Sequence, residues 1–164
     1  MSKYLGMFVD DDIKNFTSIR RLLALKDIDL LPYQDLPIDI NEIYRNALNH
    51  NVDFIIIDYD LGKQPVKYTG IDVLKNIREQ DAEIYIIYLT NKDFVQDHIG
   101  DFDQTIKKKD FAKEVDNVVK RLVRALSRDL SLKNEREIEN SYELQKKYLD
   151  DRIAILKKQL KSEE

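Results

Sequence analysis

Five side chains with the chemistry of a phosphoryl-transfer site each follow an apolar stretch of this chain. Asp10 and Asp11 come after residues 4–9, Asp58 after 52–57, Thr90 after 84–89, and Lys108 after 102–106. Clustered carboxylates do not all ionise comfortably without a cation, and their oxygen atoms suit Mg²⁺. With the cation bound, an ionised Asp58 could attack a phosphoryl group, while the Lys108 ammonium and the Thr90 hydroxyl hold phosphoryl oxygen atoms.

The pattern of apolar residues predicts the elements that would position these side chains. The run at 52–57 holds consecutive bulky residues without polar alternation, which is typical of a strand buried on both faces of a parallel sheet. Further strands at 4–9, 28–32, 84–89 and 102–106 alternate with helices near 12–25, from 39, from 69, at 94–99 and from 110. This alternation predicts an α/β domain with a parallel sheet, helices on both faces, and the polar residues at one sheet edge.

Local signals add detail to this prediction. Asp12 suits the N-cap of the first helix, and Asp39 with Glu42 three residues later is the pattern of a capping box. Pro32 places the second strand at an edge or ends it, because proline cannot donate a hydrogen bond to the sheet.

Composition limits the possible functions. The net charge of -4 and the pI near 5.3 disfavour a general nucleic-acid binder, so we expect no direct DNA binding. The absence of cysteine excludes disulfides and thiolate zinc sites, and only His50 and His98 could supply imidazole. No segment reads as a membrane span or a signal peptide, so we expect a cytoplasmic protein without membrane contact.

The last third of the chain differs from the rest, since every glycine and proline lies within residues 1–100. We therefore divide the chain into a domain at 1–126 and a helical extension at 127–164. Tyr142, Leu149 and Leu156 lie seven residues apart in a heptad-like stripe that also includes Ile138, Ile153 and Leu160. Residues 131–164 hold eight basic and eight acidic side chains, which suits a coiled-coil surface. We expect 134–161 to form a homodimer or to bind a partner helix; folding back onto the domain is the alternative. The sequence does not decide whether the last helix is continuous from 110 or breaks near 127–134.

The ordered set of motifs resembles the receiver domains of two-component response regulators. The matching segments, over about residues 3–126, are Phe8-Val9-Asp10-Asp11, Ile56-Ile57-Asp58, Thr69-Gly70-Ile71-Asp72-Val73-Leu74, Tyr88-Leu89-Thr90 and Ile106-Lys107-Lys108. The resemblance implies a flavodoxin-like fold, with a five-stranded parallel sheet in the order 2-1-3-4-5. We expect a long C-terminal helix in place of a standard output domain.

The resemblance also implies roles for individual residues. Asp58 corresponds to the phosphoacceptor, and Asp10, Asp11, Asp58 and the backbone carbonyl of Asp60 correspond to the Mg²⁺ ligands. Thr90 corresponds to the switch hydroxyl and Lys108 to the lysine that pairs with the phosphoryl group. The implied partner is a sensor histidine kinase or a phosphotransfer protein.

The chain departs from the family pattern around this set. The loop between Asp58 and Gly70 is about four residues longer than usual, Asn91 replaces a small residue, and Lys109 replaces a common proline. Thr105 stands where receivers often carry an aromatic switch residue. We therefore expect a receiver that can be phosphorylated and that signals atypically.

Two other functions remain open from the residues alone. In the first, the domain is a degenerate receiver that serves as a phosphorylation-independent interaction adaptor. In the second, Asp58 and Asp60 are the nucleophile and the general acid/base of a haloacid-dehalogenase-type phosphatase. Against the phosphatase, the acid pair precedes Asp58 and the region after Lys108 reads as helical, so we expect no enzymatic activity.

Overall fold

A computed structural model describes residues 3–10, 12–33, 35–61, 66–91 and 100–162, without the side chains of 129–134. The five strands are β1 (Tyr4–Val9), β2 (Ile28–Tyr33), β3 (Phe54–Asp58), β4 (Tyr85–Thr90) and β5 (Gln104–Lys107). The helices among the described residues are α1 (Ile13–Ala24), α2 (Asn41–Asn49), α3 (Gly70–Gln80) and α4 (Phe111–Ser162), and a 3-10 turn covers Lys108–Asp110. The helix predicted at 94–99 lies outside the described residues.

The strands form one parallel sheet in the order β2-β1-β3-β4-β5. This confirms the predicted fold class, including its strand order. Strand β3 is central, and all five of its residues are buried, which agrees with its unbroken apolar sequence. Strand β2 is at the edge, where Pro32 is tolerated.

The two faces of the sheet are covered by different helices. Helices α2 and α3 pack on the face that carries Ile55, Ile57 and Ile86. On the other face, the ring of Phe8 in β1 lies 6.2 Å, centroid to centroid, from the ring of Phe16 in α1. Because neighbouring residues of a strand point to opposite faces, a run of apolar residues supplies both cores at once.

Most of the local signals are present in the structure. Asp12 is the N-cap of α1, and its side chain accepts a hydrogen bond from the Lys14 backbone amide. The capping box predicted at Asp39 is wrong, because α2 begins at Asn41 after Ile40, which makes no side-chain cap. The Asp39 carboxylate instead accepts hydrogen bonds from the backbone and side-chain nitrogen atoms of Asn41. This local turn uses the oxygen that a cap would need.

The last helix has helical backbone from Phe111 to Ser162, without a break near 127–134. The absence of glycine and proline after Gly100 removes the residues that most strongly end helices. The chain divides into two compact units, Met1–Val123 and Arg124–Glu164. No helix of the described part of the chain is long and apolar enough to cross a membrane. The domain limits predicted at 126 and 127 stay a prediction.

Candidate functional site

Asp58 ends the central strand and is 1% exposed. Its Oδ1 atom accepts a hydrogen bond of 3.1 Å from the backbone amide of Asp60. Its Oδ2 atom forms an ion pair with the Nζ atom of Lys108. An ion pair with so little exposure is weakly screened, so Lys108 offsets part of the cost of burying the Asp58 charge.

Asp10 follows β1 and, like Asp58, is 1% exposed. Strands β1 and β3 are direct neighbours, which brings the two carboxyl groups within hydrogen-bonding reach. The Asp12 backbone amide donates to Oδ1 of Asp10 over 2.9 Å, and the Asn15 side-chain amide donates to Oδ2 over 3.4 Å. Two carboxyl groups and one ammonium group therefore share a buried space.

Electrostatics show that this arrangement favours a further positive charge. Burial, followed by the hydrogen bond and repulsion from Asp58, raises the pKa of Asp10 from 3.8 to about 6. The Asp12 amide and Lys108 act in the opposite direction but do not cancel this increase. A hard divalent cation would supply the missing positive charge, and carboxylate oxygen atoms are the ligands it prefers. The residues present thus fit Mg²⁺.

Asp11 and Asp60 are the other two predicted metal ligands. Asp11 lies outside the described residues. Asp60 is exposed, and its backbone amide already contacts Asp58. Within the described residues, no group of three or more acidic, histidine or cysteine side chains could hold a metal ion. The assignment of Asp10, Asp11, Asp58 and the Asp60 carbonyl to Mg²⁺ stays a prediction.

Thr90 and Lys108 reach the same edge of the sheet. Thr90 is the last residue of β4 and is 7% exposed, one position beyond the Leu89 that pairs with Asp58. Lys108 follows β5 directly, in the 3-10 turn before α4. The structure therefore brings Asp10, Asp58 and Lys108 into one cluster and places Thr90 at its border. Their roles in phosphoryl transfer stay a prediction.

Gly70 holds helix α3 against the candidate phosphoacceptor. A Cβ atom at this position would lie 2.1 Å from the Asp58 carbonyl oxygen and 2.8 Å from the Cα atom of Tyr59. The Gly70 amide donates to the Tyr59 carbonyl over 3.1 Å, and the Thr69 and Asp72 capping box begins the helix there. Only a residue without a side chain permits this approach.

We expect Gly70→Ala to lower the free energy of unfolding by about 1–3 kcal/mol, because the atoms that the new methyl group would meet are backbone atoms. The measurement is urea unfolding followed by circular dichroism. Gly100→Ala is the matched control, since an added Cβ atom there has no neighbour within 4 Å. Equal stabilities of the two variants would contradict the prediction.

An aromatic cluster next to the site was not predicted from the sequence. The ring of Tyr88 in β4 stacks on Phe102 at 5.7 Å and meets the Tyr59 ring edge-on at 6.4 Å, both between centroids. Tyr88 pairs with Thr105 in β5. The Tyr88 ring therefore lies beside Thr105, the position at which receiver domains often carry an aromatic switch residue. Burial and the nearby Tyr59 and Asp58 raise the pKa of Tyr88, and its buried hydroxyl has no hydrogen-bond partner among the described residues.

Comparison with known proteins places the fold among receiver domains. No protein-family model matches the chain, and no curated protein is significantly similar to it in sequence. The Francisella response regulator 1452 receiver domain is 22% identical with a TM-score of 0.60, over 77% of this chain and 99% of that one. The response regulator TrrA from Thermotoga maritima, solved with Mg²⁺ and BeF, is 19% identical with a TM-score of 0.59, over 74% and 99%. A receiver domain from Clostridium thermocellum is 18% identical with a TM-score of 0.61, over 79% and 98%.

These similarities establish the fold. The chain has the receiver-domain architecture followed by a long C-terminal helix, as the sequence motifs predicted.

Proposed function

We propose that this chain is a phosphoacceptor signalling domain of a two-component system, that it is phosphorylated on Asp58 with Mg²⁺, and that it acts in the cytoplasm. The observation that carries the proposal is the buried cluster of Asp10, Asp58 and Lys108 at the carboxyl edge of a receiver-type sheet. The donor would be a sensor histidine kinase or a phosphotransfer protein.

The chemistry follows from the ion pair at Asp58. A carboxylate oxygen of Asp58 attacks the phosphorus atom of the donor, and the bond between that phosphorus and the donor's nitrogen breaks. Lys108, already beside Oδ2, is placed to hold a phosphoryl oxygen as the negative charge grows. Bound Mg²⁺ would supply charge stabilisation at the phosphoryl oxygen atoms, and Asp10, Asp11 and Asp58 would hold it. The Thr90 hydroxyl would donate a hydrogen bond to another phosphoryl oxygen.

The output would pass through the extension, since the exposed apolar residues of 135–162 require a partner surface. We propose that this segment associates with a second copy or with a partner helix. Its even charge balance disfavours a role in DNA binding.

The test is treatment with a small phosphodonor and Mg²⁺, with intact mass measured for the wild-type protein and Asp58→Asn. We expect the wild type to gain the mass of one phosphoryl group and the variant to gain none. Asp53→Asn is a control, because Asp53 lies at the opposite end of β3, where it accepts a hydrogen bond from the Leu5 amide.

A lack of mass gain in the wild type would favour the adaptor, for which Asp58→Asn leaves partner binding unchanged. Turnover of a phosphate ester that depends on both Asp58 and Asp60 would favour the phosphatase instead.

A further inference from the structure

The extension carries an apolar stripe along one side of helix α4. This tail stripe consists of Tyr142, Leu149, Ile153, Leu156 and Leu160, whose side chains are 51–69% exposed. Its spacings of seven, four, three and four residues match the seam of a two-stranded coiled coil. A shorter set, Leu144, Tyr148 and Ile155, lies on the opposite side of the helix and outside this seam.

Charge is distributed unevenly along the same segment. Residues 135–143 hold four acidic side chains and one basic side chain, whereas 154–162 hold three lysines and no acid. Two copies that run in the same direction would place like charges side by side. Two copies that run in opposite directions can instead bring Glu143 of each copy beside the lysine-bearing segment 154–162 of the other.

We infer that the extension pairs with the extension of a second copy of this chain in an antiparallel coiled coil centred on Asp151. The inference rests on the proposed function, in which this segment carries the output, and it names the partner and its direction.

The antiparallel register buries the tail stripe in consecutive layers. With Asp151 at the centre, Tyr142 lies opposite Leu160 of the second copy, Leu149 opposite Ile153, and Lys146 opposite Leu156. The two-fold axis repeats each layer, which gives six in total. The aliphatic part of Lys146 covers Leu156 while its ammonium reaches solvent.

The flanking charges also favour this register. Glu143 lies beside Lys157 of the second copy, and the two-fold axis produces this attractive pair twice. Asp150 and Arg152 each lie near their own copies at the axis, and by sequence position Glu139 lies opposite Glu163 at the end of the seam, so both contacts cost some of this gain.

A parallel pairing has larger costs. Glu139 and Lys146 would each face their own copies inside the seam, where like charges are poorly hydrated. Arg152 would lie beside Lys157 twice, and Glu143 would have no basic partner across the seam. An antiparallel pairing shifted by one heptad, with Leu149 opposite Leu160, keeps only four layers and leaves Tyr142 without a partner. A shift in the other direction places Leu156 opposite Glu139 and Leu160 opposite Glu135.

The test reverses the charges of one pair in the full chain and follows the mass by light scattering over a concentration series. We expect Glu143→Lys and Lys157→Glu each to weaken the dimer by about tenfold or more, because each replaces two attractive pairs with two repulsive ones. An equimolar mixture of the two variants is expected to recover the dimer mass, since both pairs are attractive in the mixed dimer.

Glu137→Lys and Lys158→Glu are the matched controls, because they make the same charge changes on the outer side of the helix. They are expected to keep the wild-type dimer constant. Circular dichroism of every variant checks that the helix content is unchanged.

Three outcomes would overturn the inference: a wild-type chain that stays monomeric, a mixture that stays as weak as the single variants, or an effect of Lys157→Glu without one of Glu143→Lys. The experiment uses no phosphodonor. A failed phosphorylation test therefore does not affect the light-scattering result, and a failed light-scattering test does not affect the phosphorylation result.

Discussion

Lys108→Met is expected to lower the free energy of unfolding by about 3–5 kcal/mol at pH 8, because it leaves two buried carboxyl groups without their ammonium partner. Asp10 and Asp58 are each 1% exposed, and Lys108 is the side chain that forms an ion pair with Asp58. Methionine keeps the length and the apolar stem of lysine, so the lost stability reports on charge.

The measurement is urea unfolding of metal-free protein at pH 8 and pH 5. At the lower pH, Asp10 binds a proton, because its pKa is raised to about 6 by burial and by Asp58. The difference in the free energy of unfolding between the wild type and Lys108→Met is therefore expected to be smaller at pH 5. Lys109→Met is the control, since Lys109 is exposed and adjacent in sequence. The prediction fails if Lys108→Met and Lys109→Met lose the same free energy of unfolding. It also fails if Lys108→Met loses the same amount at both pH values.

Asp10→Asn is expected to have the opposite effect and to stabilise the metal-free protein at neutral pH. A carboxyl group whose pKa rises from 3.8 to about 6 on folding favours the folded state only while it is protonated. The stabilising contribution of Asp10 is therefore fully present below pH 3.8 and is lost as the pH rises through about 6. The difference corresponds to roughly 3 kcal/mol above that range. Asparagine carries no charge, and its oxygen can still accept from the Asp12 amide.

Thermal unfolding from pH 4 to pH 8, with and without Mg²⁺, tests this prediction. We expect the variant and the wild type to coincide near pH 4 and to diverge as the pH rises. Mg²⁺ is expected to raise the melting temperature of the wild type more than that of the variant, because Asp10 is a predicted ligand. Destabilisation of the variant at pH 8, in the absence of metal, would refute the electrostatic account of the cluster.

The fold was largely predictable because its strands are continuous apolar runs that end on polar residues. The run before Asp58 required burial on both faces, and this placed β3 at the centre of a parallel sheet. The same argument brought Asp10 and Lys108 to one edge. The sequence predicted that these carboxyl groups cluster, and the pairing of β1 with β3 together with burial then explains the raised pKa of Asp10.

Other features depend on contacts that have no sequence signal. The Asp39 capping pattern was wrong because a nearby asparagine bound the same carboxylate. The stacking of Tyr88 on Phe102 depends on how the chain just before β5 approaches β4, which alternation alone does not specify. The hydrogen bond from Asn15, in the first turn of α1, to Asp10 is another contact without a sequence signal.

The contact between Gly70 and the Asp58 carbonyl determines where the chain can accept added residues. The segment that joins Asp58 to α3 is anchored at both ends, by the Asp60 amide on Asp58 and by the Gly70 amide on Tyr59. Insertions between these anchors do not have to move either one, and added loop length costs little entropy. Added length between the two anchors is therefore expected to cost little stability, whereas a single methyl group at Gly70 would meet the backbone of Asp58 and Tyr59.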